Sequence, residues 1–120
     1  MEKKEQRKEK SSRGDVRIGI SIGDPNGIGI EVTMKALEDT RILQDCTPVI
    51  YGSQKMFAKG KKQFRMNNFN FNGIKAAADA RRRKVNIVNV WDEDVEVKFG
   101  ETNETGGNYA FLSLEAATND

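Results

Sequence analysis

A chain of 120 residues, 37% hydrophobic and 32% charged, is one small and charge-rich domain by length. Its net charge of +2 is too small to imply a nucleic-acid partner, and one cysteine, Cys46, excludes an intrachain disulfide. The absence of histidine excludes a protease triad within the chain and argues against a structural zinc site, leaving only a carboxylate-bound magnesium ion open.

Met1–Asp15 reads MEKKEQRKEKSSRGD, with Met1 as its only apolar residue, so a disordered or frayed charged tail is expected. Val16, Ile18, Ile20 and Ile22 then alternate with Arg17, Gly19 and Ser21, the period of a strand. The small residues on its second face imply that something packs closely there. Gly23-Asp24-Pro25-Asn26-Gly27 is a turn signal. Ile30 to Leu43 reads as a helix with Ile30, Met34 and Leu37 on one stripe and Glu31 in its first turn.

Pro48 to Tyr51 reads as a buried strand. Ser53 is placed to cap a helix over Gln54–Arg65, which Gly60 weakens. Asn67 to Gly73 is a short exposed strand or loop anchored by Phe69 and Phe71. Ile74 to Lys84 is Ala-rich and ends in four cations, the pattern of a helix C-terminus. Val85 to Val90 is a further strand, Asp92-Glu93-Asp94 an acidic turn, and Val95 to Phe99 one more short strand. Gly100 to Gly107 reads as a loop. Asn108 to Thr118 reads as a helix whose apolar stripe is Ala110, Phe111, Leu114 and Ala117. Strands alternating with helices indicate an α/β fold with a largely parallel sheet and flanking helices. No apolar run approaches the ~20 residues that cross a bilayer, and the start lacks the apolar core of a signal peptide. A soluble cytoplasmic protein with no membrane or nucleic-acid partner is expected.

The segment with most functional content is IGDPNGIGIEV, Ile22 to Val32. It is a strand end, a glycine-rich turn and a helix start, so backbone N–H groups gather at a positive helix end where open α/β sheets bind ligands. Its glycines give G-x-x-x-G-x-G, which is neither the dinucleotide fingerprint nor a P-loop. An anion site and a plain tight connection both fit that pattern. The other chemistry-bearing side chains favour bland readings. Arg81-Arg82-Arg83-Lys84 is read as a solvated helix end, Cys46 as a buried small residue, and Trp91 and Tyr109 as core anchors.

GDPNGIGIEV resembles the opening motif of the 4-hydroxythreonine-4-phosphate dehydrogenase (PdxA) family, with Asn26 where alanine is usual and Ile30 where proline is usual. Thr47-Pro48-Val49-Ile50-Tyr51-Gly52-Ser53, Lys84-Val85-Asn86-Ile87-Val88 and Gly106-Gly107-Asn108-Tyr109-Ala110-Phe111 through Ser113-Leu114-Glu115-Ala116-Ala117 are similar to later family segments in the same order. The resemblance spans residues 16–120. The wider isocitrate and isopropylmalate dehydrogenase superfamily has a related turn, which Pro25-Asn26 widens here.

The resemblance implies that this is the N-terminal part of a two-domain, isocitrate/isopropylmalate dehydrogenase-like subunit that forms homodimers. Such enzymes oxidise 4-phosphooxy-L-threonine, a phosphorylated amino acid, with NAD or NADP. The product, 2-amino-3-oxo-4-phosphooxybutyrate, decarboxylates to 3-amino-2-oxopropyl phosphate on the way to pyridoxal phosphate, vitamin B6. A divalent metal (Zn, Mg or Co) is held by histidines, so its ligands are expected in a missing C-terminal part, and this chain alone is expected to be inactive. Asp24, Asn26, Gly27 and Gly29 match the family's turn and are the expected cofactor-binding residues. For Asp24, capping a nearby N–H and facing the cleft are both open. The alternatives are a superfamily dehydrogenase for another hydroxy acid phosphate and a non-catalytic α/β binding module.

Overall fold

The computed structural model describes residues 16–91 and 104–120. The charged tail, the acidic turn at 92–94 and the strand expected at 95–99 lie outside them. Four strands are described: β1 (Arg17–Ser21), β2 (Thr47–Gly52), β3 (Asn72–Ile74) and β4 (Asn86–Asn89). They form one sheet in the order β1-β2-β4-β3. Every pairing is parallel, as the alternation of strands and helices requires.

β2 has a neighbour on each side and is buried at every position. Its proline is tolerated because Pro48 precedes the pairing with β4, which starts at Val49↔Asn86, so no ladder donor is missing there. Register puts Ile20, Ile50 and Ile87 on one face. Helices α1 (Gly29–Glu38) and α2 (Gln54–Gln63) cover that face with Ile30, Met34, Leu37, Met56 and Phe57. The expected α1 stripe is therefore its buried stripe. Tyr51, Val88 and Ile74 share the opposite face. There Ala116 and Ala117 of α3 (Glu104–Asn119) pack with Ala77 and Ala80.

Local chemistry sets the boundaries that the sequence pattern misplaced. The first helix stops at Glu38, not Leu43. Asp39 turns extended, and its carboxylate takes the Arg41 N–H at 3.0 Å, starting a separate 3-10 turn over Thr40–Gln44. The Arg41 guanidinium also binds that carboxylate and holds its pKa down at about 2. Ser53 occupies the N-cap position of α2, but its hydroxyl makes no capping bond. Asn89 of β4 accepts the Gln54 N–H at 2.8 Å instead. Gly60 sits where α1 crosses α2: a Cβ there would lie 3.2 Å from Met34 Sδ. Phe69 and Phe71 do anchor their segment, with Phe71 edge-on to Phe57 at 6.5 Å.

Ile74 to Lys84 is not a helix. Ile74 pairs with Val88 in the sheet, Ala77–Asp79 is a single 3-10 turn, and the basic run is a turn before β4. The buried Asn86 side chain organises that turn. Its Oδ1 accepts the Arg81 N–H at 2.9 Å, and its Nδ2 donates to the carbonyls of Arg81 and Lys84 at 3.0 and 2.9 Å. These side-chain bonds, made from two and five residues away, and the pairing of Ile74 with Val88 hold the segment out of a helix despite the high helix propensity of its alanines. The last helix also differs from expectation, because it starts at Glu104 and buries Gly106 and Ser113. Phe111 and Leu114, placed on the expected inner stripe, are 62% and 56% exposed.

Candidate functional site

The turn after β1 is built from its own backbone and side chains. Gly23 takes a φ of +69°, a value that favours glycine. The Gly27 N–H donates to the Asp24 carbonyl at 2.9 Å, closing the turn. Asp24 Oδ1 accepts the Asn26 N–H at 2.8 Å. That is a local Asx bond, one of the two roles open to Asp24 from sequence. Asn26 is buried, at 3% exposure. A Cβ on Gly29 would lie 2.4 Å from the Ile22 carbonyl oxygen, so only glycine lets α1 begin against the end of β1.

Helix α3 closes the other side. A Cβ on Gly106 would fall 2.3 Å from Asp24 Oδ1 and 2.6 Å from Asn26 Nδ2. Both polar side chains of the turn therefore lie against the first turn of α3. Two helix N-termini thus meet at the carboxyl end of β1, an electropositive arrangement that suits the Asp24 carboxylate. One helical stretch further on, the buried Ser113 Oγ accepts the Ile22 N–H at 3.0 Å and donates to the Tyr51 carbonyl at 2.5 Å. At the end of β4, the Trp91 ring lies 4.6 Å from that of Tyr109, between centroids. Both serve as packing anchors, as their sequence context indicates.

The structure thus brings Asp24, Asn26, Gly27 and Gly29 together and adds Gly106 and Ser113 to them. The sequence signal for those two was the small-residue spacing Gly106, Ser113, Ala116, Ala117. That spacing marks a helix face able to approach a sheet closely, and the larger apolar residues drew attention from it. The turn's exposed parts are Gly23 and Ile28. α1 has no side-chain N-cap, and the N–H groups of Gly29, Ile30 and Glu31 have no partner among the described residues. These are the donors this edge can offer an anion.

The remaining candidates lie elsewhere. Arg81, Arg82, Arg83 and Lys84 are exposed, and Arg81, Arg83 and Lys84 help line a cavity of about 330 Å³ beside Leu37, Leu43 and Phe71. That cavity is at the amino ends of the strands, away from the glycine-rich turn. Cys46 is buried against the Ile42 carbonyl, and burial raises its thiol pKa, with the Asp45 charge adding to this. It is an inert core residue. Among the described residues no group of three metal-ligating side chains converges, and no helix is long and apolar enough to cross a membrane.

Comparison with known proteins gives a consistent answer. The family described as "Pyridoxal phosphate biosynthetic protein PdxA" matches residues 44–120. The 4-hydroxythreonine-4-phosphate dehydrogenase of Bacteroides thetaiotaomicron is 38% identical over 85% of this chain and 28% of its own. That of Sulfurihydrogenibium sp. is 34% identical over 88% of this chain and 31% of its own. A Clostridium botulinum protein provisionally named D-threonate 4-phosphate dehydrogenase is 32% identical over 78% of this chain. The crystal structure of a 4-hydroxythreonine-4-phosphate dehydrogenase from Burkholderia phymatum shares the fold, with a TM-score of 0.72 at 24% identity, over 87% of this chain and 32% of that one. The chain therefore spans under a third of the length of these relatives. With the family matched over 44–120 and the fold shared across the described core, the chain belongs to the PdxA family of pyridoxal phosphate biosynthetic proteins.

Proposed function

We propose that this chain is the N-terminal portion of a cytoplasmic, homodimeric NAD(P)-dependent dehydrogenase that oxidises 4-phosphooxy-L-threonine on the route to pyridoxal phosphate. The observation that carries this is the 38% identity over 85% of the chain with a 4-hydroxythreonine-4-phosphate dehydrogenase. A nicotinamide cofactor supplies the hydride acceptor in such chemistry, and a divalent metal polarises the alcohol. The residues present do not fit that metal: the sequence has no histidine and no carboxylate cluster converges among the described residues. Its ligands belong to the remaining two-thirds.

The part assigned to this chain is one wall of the cofactor or substrate pocket, formed by the Asp24, Asn26, Gly27 and Gly29 turn. Asp24 and Asn26 are turned onto their own loop and α3, so they set the turn's shape. The donors offered to a phosphate or carboxylate are the first-turn N–H groups of α1. Gly29 brings those donors to the strand end.

The direct test is NAD(P) reduction by the complete protein with 4-phosphooxy-L-threonine and divalent metal, beside the 120-residue chain alone. Turnover is expected from the first and only background from the second. An inactive complete protein, or an active fragment, overturns the proposal. The similarity to the Clostridium botulinum protein favours one second reading, oxidation of a threonate 4-phosphate. The two substrates differ at C2, ammonium against hydroxyl, so their kcat/KM ratio in the same assay separates the readings.

A further inference from the structure

We propose that the cavity at the amino ends of the strands is a second binding site, for a small organic phosphate: a phosphomonoester on a flat apolar body. Its volume of about 330 Å³ falls in the lower part of the range for small-ligand pockets. It is built from residues that the pocket at the glycine-rich turn does not use, so it stands apart from the function proposed above.

The cavity has two chemically distinct halves. Leu37 of α1 and Leu43 of the following 3-10 turn face Phe69 and Phe71 across it. Leu37 and Phe69 are core residues, whereas Leu43 and Phe71 are half-buried and leave apolar surface for a ligand to cover. The other half is cationic, formed by Arg81, Arg83 and Lys84. The ion pairs among the described residues are Lys35–Glu31 and Arg41–Asp39, so none of these three cations is neutralised by a carboxylate there. Glu38 is the one carboxylate among the lining residues. Three cations against one carboxylate leave a surplus of two positive charges. That surplus matches a phosphomonoester, which carries a charge of roughly −1.5 to −2 at neutral pH, better than it matches a carboxylate. Two guanidinium groups suit the same anion, since their planar forks bind phosphate oxygens in pairs.

The cations are mounted on a backbone that is fixed without a ligand. Asn86, fully buried, reaches both sides of the cavity. Its Oδ1 accepts the Arg81 N–H at 2.9 Å and a bond from the Asn72 Nδ2 at 3.3 Å, and its Nδ2 donates to the Arg81 and Lys84 carbonyls. Asn72 lines the cavity opposite the basic turn. The Arg83 N–H donates to the Thr47 hydroxyl at 3.2 Å, which holds Arg83 at a φ of +60°, a conformation that is uncommon outside glycine. The turn thus gathers like charges beside an apolar wall, which is unfavourable until an anion enters. A preordered backbone also lowers the ordering cost of binding that anion.

The test titrates the complete protein with phenyl phosphate by calorimetry, beside inorganic phosphate and phenol, and locates binding by amide hydrogen exchange. Phenyl phosphate should bind with a Kd on the order of 0.1–1 mM, and each half-ligand about tenfold more weakly or worse. Exchange should slow at residues 68–72 and 81–85. Arg81→Gln with Arg83→Gln should weaken binding about tenfold or more, and Glu38→Gln should tighten it about twofold or more. All three side chains are exposed, so the melting temperature should stay that of the parent. Arg82→Gln removes the same charge from a residue outside the cavity lining and should change the Kd less than about twofold. The proposal falls if phenyl phosphate does not bind, or if inorganic phosphate binds as tightly. It falls if Arg82→Gln weakens binding as much as Arg83→Gln, which would make net charge the cause. It also falls if exchange slows only at residues 23–31, which would place the ligand at the glycine-rich turn. None of these readouts depends on turnover, so failure of this site and failure of the proposed activity are distinguishable.

Discussion

Ser113 and Tyr51 are joined where two strands part: the Ser113 hydroxyl donates to the Tyr51 carbonyl at 2.5 Å and accepts the Ile22 N–H at 3.0 Å. Ladder alternation would pair that N–H with that carbonyl directly. The hydroxyl is inserted between them, so β1 can diverge from β2 into the glycine-rich turn without stranding either group. One side chain on α3 thus satisfies the sheet at its opening and ties the helix to the site.

Ser113→Ala should therefore cost more than a surface serine. It leaves two buried backbone groups without partners, at about 1–3 kcal/mol for each unsatisfied group. Urea unfolding followed by Trp91 fluorescence should show a loss of about 2–4 kcal/mol. A loss below about 0.5 kcal/mol, the range of ordinary surface changes, would mean the strands close directly and the bridge is dispensable.

Two adjacent glycines in α3 should respond with opposite signs. A Cβ on Gly107 would meet nothing within 4 Å, whereas one on Gly106 would meet the Asp24 carboxylate at 2.3 Å. Gly107→Ala should stabilise by roughly 0.5–1 kcal/mol through helix propensity. Gly106→Ala gains the same propensity but displaces the turn, and should be net destabilising by about 1–3 kcal/mol. Equal stabilisation by both would show that α3 does not press on the turn.

Tyr51 gives a pH signature. Burial pushes its pKa up to about 12, and its hydrogen bond to Asp120 at 2.8 Å and that residue's charge add to the shift. The folded state holds the phenol proton more tightly than the unfolded chain, whose tyrosine titrates at about 10. This contribution is complete below pH 10 and is lost as pH rises through about 12. Tyr51→Phe should be less stable than the parent at neutral pH because it loses that bond. The gap should shrink or reverse as pH climbs past the folded value. A gap independent of pH would show that Tyr51 ionises freely.

Much of this was legible in the sequence, for identifiable reasons. The β1 alternation, the buried β2 and the Ile30, Met34 and Leu37 stripe each repeat a period that local geometry enforces. The glycine-rich turn was legible as a turn because Gly23 and Gly29 occupy positions where a Cβ is strained or excluded. The failures arise where side-chain bonds to the backbone decide, since they leave no periodic pattern. Asn86 holds Arg81 and Lys84 by their backbones from five and two residues away, and the Ala-rich composition of Ile74–Lys84 does not announce it. Likewise Asn89, not Ser53, caps α2 from another strand. α3 misled because it is apolar on two sides, and periodicity picks the larger residues while close packing on a sheet picks the smaller ones. The link between Asp24 and Gly106 spans most of the chain and leaves no periodic trace.

Asp24 offers the sharpest test of how the turn works in the complete enzyme. Its Oδ1 is bonded to the Asn26 N–H and lies against α3, so its role is to hold the turn. Asp24→Asn keeps an acceptor in place and removes only the charge near two helix N-termini, a loss of about 0.3–1 kcal/mol. Asp24→Ala removes the acceptor as well and should cost about 0.5–2 kcal/mol, as lost caps do. In kinetics, Asp24→Asn should stay close to the parent in kcat/KM with NAD(P) and 4-phosphooxy-L-threonine. Asp24→Ala should raise KM for the ligand proposed to bind at the α1 N-terminus, because the N–H groups of Gly29, Ile30 and Glu31 are no longer held in place. The two effects should track each other, with kinetic loss following loss of melting temperature. The opposite pattern is equally readable. If Asp24→Asn cut kcat/KM about tenfold or more with an unchanged melting temperature, the carboxylate would be contacting cofactor or substrate itself, and the turn-holding role would be wrong.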